Sequence, residues 1–144
     1  MAIFQKTEKA IVIGASAGGI DLLYKLIPLI RKENTIPIFI VQHISNSSDS
    51  YFIKHLNEIS GVTVKEAIHN ESASPGVVYF APPDYHLLIE EDYTLSLSKD
   101  ERVNFSRPSI DVLFETASEA FGADLIGIIL TGANKDGSMG LKKV

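Results

Sequence analysis

Cysteine is missing from the 144-residue chain. That excludes disulfides, a thiolate nucleophile and any metal held by cysteine. Long apolar runs are missing too. The longest, "IPIFIV" and "LIGIIL", fall far short of the roughly 20 apolar residues that cross a bilayer as a helix, so no membrane insertion is expected. Positive charge is scarce: 13 Lys and Arg stand against 18 Asp and Glu, a formal net charge of −5. With no basic stripe to neutralise phosphates, a nucleic-acid partner is not expected. The opening "MAIFQKTEK" lacks the apolar segment of a secretory signal. Together these absences predict a cytoplasmic, soluble protein.

What is present suits a folded domain. Hydrophobic residues make up 45% of the chain and charged residues 22%, enough to bury one core and cover it with an ordinary surface. No repeat, low-complexity tract or linker interrupts it, so residues 1–144 read as one domain. The closing "GSMGLKKV" looks like the first turns of a helix. This sets the expectation of a domain truncated at its C-terminus.

The pattern alternates strands and helices. Residues 10–14 form a short apolar, β-branched run that Gly14 stops. Ile20, Leu23, Tyr24 and Ile27 share one helical face, and Pro28 ends or kinks that helix. Residues 36–42 are continuously apolar, as in a strand covered on both faces. Phe52, Ile53, Leu56 and Ile59 share a second helical face. "VTVKEA" and "GVVYFAPP" follow as strands, then "HLLIEE" and "TLSLS" alternate as a hairpin. Ile110, Leu113, Phe114, Ala117 and Phe121 mark a third helix over 109–121, with Ser109 or a neighbour as N-cap. Residues 124–131 are another buried strand. The expected fold is α/β, a doubly wound three-layer sandwich with a mostly parallel sheet and the hairpin as its antiparallel part.

The glycine-rich turn after the first strand has three readings. A phosphate-binding P-loop needs Lys and Ser or Thr after its second glycine, but Ile20 and Asp21 follow Gly19. A dinucleotide fingerprint needs glycine where Ser16 stands and an acid where the second strand ends in Gln42 and His43. The third pattern, Gly-x-Ser-x-Gly, is matched in full by "GASAG" at 14–18, between a strand and a helix. Such an elbow presents a serine hydroxyl at the carboxyl edge of the sheet. N–H groups at the start of the next helix can receive an oxyanion.

A serine nucleophile needs a base and a group to orient it. His43 directly follows the second parallel strand, so it emerges on the same edge as Ser16. His55 and His69 read as solvated surface, and His86 as structural or at the rim of the site. Asp136 follows the last strand through a Thr-Gly turn and reaches the same edge, although that position also suits a helix N-cap. Asp49 and Asp84 remain rivals. Asp124 precedes its strand, and Asp21 and Asp111 sit within helices.

Five blocks carry a resemblance: "IVIGASAGG", "FIVQHI", "SPGVVYFAPPDYHL", "RPSIDVLF" and "IILTGANKDGSMGL". In this order they resemble the catalytic domain of the chemotaxis protein-glutamate methylesterases, the CheB family. The resemblance implies a serine hydrolase that demethylates glutamate methyl esters on chemoreceptors and also deamidates glutamines. It implies Ser16, His43 and Asp136 as a catalytic triad, with backbone N–H groups at Ala17 and Ala133 receiving the oxyanion. It calls for no cofactor and no metal. The implied partners are the methylated cytoplasmic domain of a chemoreceptor and a phosphorelay or methyltransferase protein. The family's N-terminal receiver domain has no counterpart in this sequence. Ala17 departs from the family's usual Thr or Ser. Ala133 and Asn134 replace its usual Met-Gly pair. The altered turn at 133–135 and the expected C-terminal truncation sustain a second reading, a catalytically impaired esterase-like binding module within a larger signalling protein. A nucleotide-binding fold is the third.

Overall fold

In the computed structural model, residues 9–43, 51–104, 106–130 and 137–144 are described. The apolar run at the start becomes strand β1 (Ala10–Ala15). A single 3-10 turn (Ala17–Gly19) leads into helix α1 (Ile20–Leu26). Pro28 converts the end of that helix into a 3-10 turn over Ile27–Leu29, because proline offers no N–H for a helical bond. Strand β2 (Ile38–Gln42), buried throughout, and helix α2 (Tyr51–Ile59) follow. Strands β3 (Val64–Glu66) and β4 (Val78–Phe80) are short. Strands β5 (His86–Ile89) and β6 (Leu95–Ser98) form the hairpin. Helix α3 (Ile110–Phe121), strand β7 (Leu125–Leu130) and helix α4 (Ser138–Lys143) complete the described chain.

Five strands form one sheet in the order β3-β4-β2-β1-β7, with every pair parallel. Its two faces are covered differently. Ala10, Val12, Phe39 and Val41 pack with Ile110, Leu113, Phe114, Ala117 and Phe121 of α3. Ile13, Ala15, Ile38 and Ile40 pack with Leu23, Ile27, Ile53 and Leu56 under α1 and α2. This is the doubly wound, three-layer arrangement expected from the continuous apolar strands.

One expectation needs correcting. The hairpin is not an antiparallel part of the main sheet. It is a separate two-stranded sheet, and its Leu87, Ile89 and Leu95 join the α3-side core. Alternation reveals a strand with one buried face, but not which neighbour it pairs with.

The winding changes direction at β1. From β1 the chain passes through α1 towards β2. From β7 it passes to α4, which packs on α3. The carboxyl ends of β1 and β7 thus feed opposite layers. In open α/β sheets ligands bind at such a switch point.

Candidate active site

Ser16 is the first residue beyond β1, and its backbone is tied on both sides. Its N–H donates to the Leu130 carbonyl at the end of β7 (3.4 Å). Its carbonyl accepts from the Gly19 N–H (2.8 Å), closing the 3-10 turn. The residue is extended (φ −86°, ψ −179°), and its side chain makes no cap bond to the turn. The elbow is therefore built without using the serine hydroxyl as a cap.

The glycines of the motif have distinct roles. A Cβ at Gly14 would lie 2.5 Å from Ile110 Cγ2, so this glycine lets the first turn of α3 close onto β1. Gly19 has ordinary helical angles (φ −80°, ψ −13°). The same Ile110 side chain also presses on Gly137, where a Cβ would meet it at 2.9 Å. Gly137 has φ +98°, in the left-handed region that favours glycine, and it is the N-cap residue of α4. Ile110 thus wedges between the end of β1 and the start of α4.

His43 is placed by the pairing of β1 with β2. Ala15 is opposite Gln42, and the His43 N–H donates to the Ala15 carbonyl (2.8 Å). Ser16 and His43 are therefore the next residues out on adjacent parallel strands, and both are half-buried. Asp136 and Ala133 lie outside the described residues, as does the rival acid Asp49.

The other histidines are committed elsewhere. His86 is buried, at 2% exposure. Its Nδ1 faces the Ser109 N–H (3.1 Å), and its Nε2 faces the Glu101 carbonyl (2.9 Å). A backbone N–H can only donate and a carbonyl can only accept, so the ring carries its proton on Nε2. It bridges the loop after β6 to the N-cap of α3, and is structural. His69 accepts from the Leu97 N–H (3.0 Å). His55 lies against the rings of Tyr51 and Tyr24. Burial, and secondarily the neighbouring Tyr51, push the Tyr24 hydroxyl pKa up.

Asp84 is tied into an ion-pair cluster. Arg107 donates to its Oδ1 through Nη2 (2.7 Å) and Nε (3.1 Å), with Arg102 at 3.8 Å and Lys99 at 3.9 Å. Chiefly through the Arg107 hydrogen bond, its carboxyl is held below the usual range. It therefore serves as a structural anion for this cluster.

Two polar residues have roles that sequence patterns did not reveal. Asp111 is buried near the start of α3. It accepts from Asn104 Nδ2 (2.8 Å) and from the Gly140 N–H in the first turn of α4 (2.6 Å). A carboxylate from a neighbouring helix thus does the work of a cap. Gln42 is also buried and hydrogen-bonds at the carbonyls of both Ser16 and His43. Residue type alone carries no signal for either contact, because both depend on tertiary placement.

A family model described as CheB methylesterase matches residues 11–144. A Leptospira interrogans protein (serovar copenhageni) is 56% identical over 136 residues, which is 94% of this chain and 70% of that one. Its name is "Putative protein-glutamate methylesterase/protein-glutamine glutaminase". A Clostridium acetobutylicum protein-glutamate methylesterase/protein-glutamine glutaminase is 40% identical over 92% of this chain, but only 38% of its own length. The crystal structure of the Thermotoga maritima CheB methylesterase catalytic domain superposes with a TM-score of 0.89 at 37% identity. It covers 95% of this chain and 74% of that one. Enzyme names among the relatives count against the binding-module reading.

Proposed function

The chain belongs to the CheB methylesterase family, and from that premise we propose that it hydrolyses glutamate methyl esters on the cytoplasmic domain of chemoreceptors. The same site would deamidate receptor glutamines. The observation that carries the proposal is the parallel pairing of β1 with β2, which sets Ser16 and His43 at adjacent strand ends.

In this mechanism His43 takes the proton from Ser16 Oγ as that oxygen attacks the ester carbonyl. The N–H groups of Ala17 and Ala133 hold the developing oxyanion. Removing one such donor typically costs about 3–4 kcal/mol of barrier. His43 returns its proton to the leaving methoxide, so methanol departs and an acyl-enzyme remains. Water, deprotonated by His43, then attacks the acyl-enzyme. The glutamate leaves as a carboxylic acid and Ser16 recovers its proton. With a glutamine substrate the leaving group is ammonia. Asp136 orients His43 and stabilises its charged form. No helix among the described residues is long and apolar enough to cross a membrane. The enzyme would act in the cytoplasm, under the control of a phosphorelay or methyltransferase partner.

The test is methanol release from a methylated receptor fragment. Ser16→Ala and His43→Gln should each fold normally and lose turnover by roughly 10⁴-fold or more. Wild-type turnover by Ser16→Ala would overturn the proposal.

A further inference from the structure

We propose that Gln42 is a positioning residue for this hydrolysis, fixing the peptide group that carries an oxyanion donor. The inference rests on the assignment of Ser16 and His43 above. Gln42 is the last residue of β2 and only 4% exposed. Its Nε2 donates to the Ser16 carbonyl (2.7 Å) and to the His43 carbonyl (3.2 Å). An amide nitrogen has two hydrogens, so one group can serve both bonds. The opposite amide orientation would put Oε1 against two carbonyl oxygens, so the contacts themselves settle which atom is which.

The Ser16 carbonyl already accepts from the Gly19 N–H. Gln42 supplies its second donor and so fills both lone pairs. That carbonyl shares a rigid trans peptide plane with the Ala17 N–H, which points the opposite way. Holding the oxygen in two bonds therefore fixes the direction of the N–H. The same side chain also holds the main chain of His43. One amide thus ties the nucleophile's peptide to the base's strand, across the gap between β1 and β2.

Packing alone does not account for an amide here. Gln42 Oε1 is buried with no hydrogen-bond partner among the described residues, and such an atom is a liability for stability. A leucine or methionine would fill the space without it. The amide is explained by what its hydrogens do.

The experiment compares wild type, Gln42→Leu and Gln42→Met with a methylated receptor fragment as substrate. Folding is followed by circular dichroism. We expect folded variants whose kcat falls about 10- to 100-fold while KM stays within about twofold, as for a misaimed transition-state donor. The rate of covalent inactivation by a fluorophosphonate should fall in parallel, since it uses the same N–H. A folded variant with wild-type kcat, or a loss confined to KM, would overturn the proposal. So would failure of both variants to fold, which would make Gln42 a structural support. Ser16→Ala, run alongside, separates the two claims. If it keeps turnover, the functional assignment fails. If it is dead while the Gln42 variants are fully active, only the positioning role fails.

Discussion

At the scale of single residues, partners decide which titratable groups are available for chemistry. His86 has both ring nitrogens in buried backbone hydrogen bonds. His86→Leu would strand the Ser109 N–H and the Glu101 carbonyl. It should cost about 2–4 kcal/mol of stability in urea denaturation, whereas His43→Gln should spare stability and remove turnover. A fully stable His86→Leu would contradict the bridging role. Asp84 makes a different prediction. The Arg107 hydrogen bond keeps its pKa low in the folded state. Its contribution to stability is therefore present above the unfolded-state value of about 3.9 and is lost only as pH falls through the lower folded value. In an NMR titration of the carboxyl, Arg107→Leu should move the Asp84 midpoint upward. An unmoved midpoint would contradict the assigned cause. Neither set of partners was legible in the sequence, because Asp84 and Arg107, like His86 and Ser109, are 23 positions apart. The strand–turn–helix elbow around Ser16 was legible, because it is a local motif of five residues.

At the scale of elements, the site depends on how closely α3 approaches the sheet. Ile110 occupies the space that a Cβ would need at Gly14 and at Gly137. Gly14→Ala should therefore be overpacked by about 1–3 kcal/mol, and it should lower turnover by displacing the strand end that carries Ser16. Ile110→Ala in the same chain should recover part of the stability, a coupling that a double-mutant cycle of thermal melts would register. Strict additivity would show that the two side chains do not compete. Periodicity located helices α1, α2 and α3 and the hairpin, and continuous apolar runs located the sheet strands. Neither could show that Gly14 is a clearance for Ile110, nor that the Asp111 carboxylate caps α4 from a neighbouring helix. Those contacts appear only once the layers are stacked.

At the scale of the whole molecule, the parallel sheet organises the chemistry. Its order β3-β4-β2-β1-β7 puts β1 between β2 and β7, and the residues that follow β1 and β2, Ser16 and His43, leave at one edge. That shared edge explains why reading strand ends picked out Ser16 and His43 before any contact was known. The separate hairpin sheet was not legible, since alternation does not name a pairing partner. The central claim is that Ser16 is an activated nucleophile, and covalent labelling tests it most directly. Trypsin should release residues 10–25 as one peptide whose only serine is Ser16. After treatment of the folded protein with a fluorophosphonate, mass spectrometry should find one phosphonyl adduct, on Ser16 of that peptide. The adduct should be absent in Ser16→Ala and slowed in His43→Gln. An unlabelled peptide, or an adduct on another residue that persists in Ser16→Ala, would contradict it.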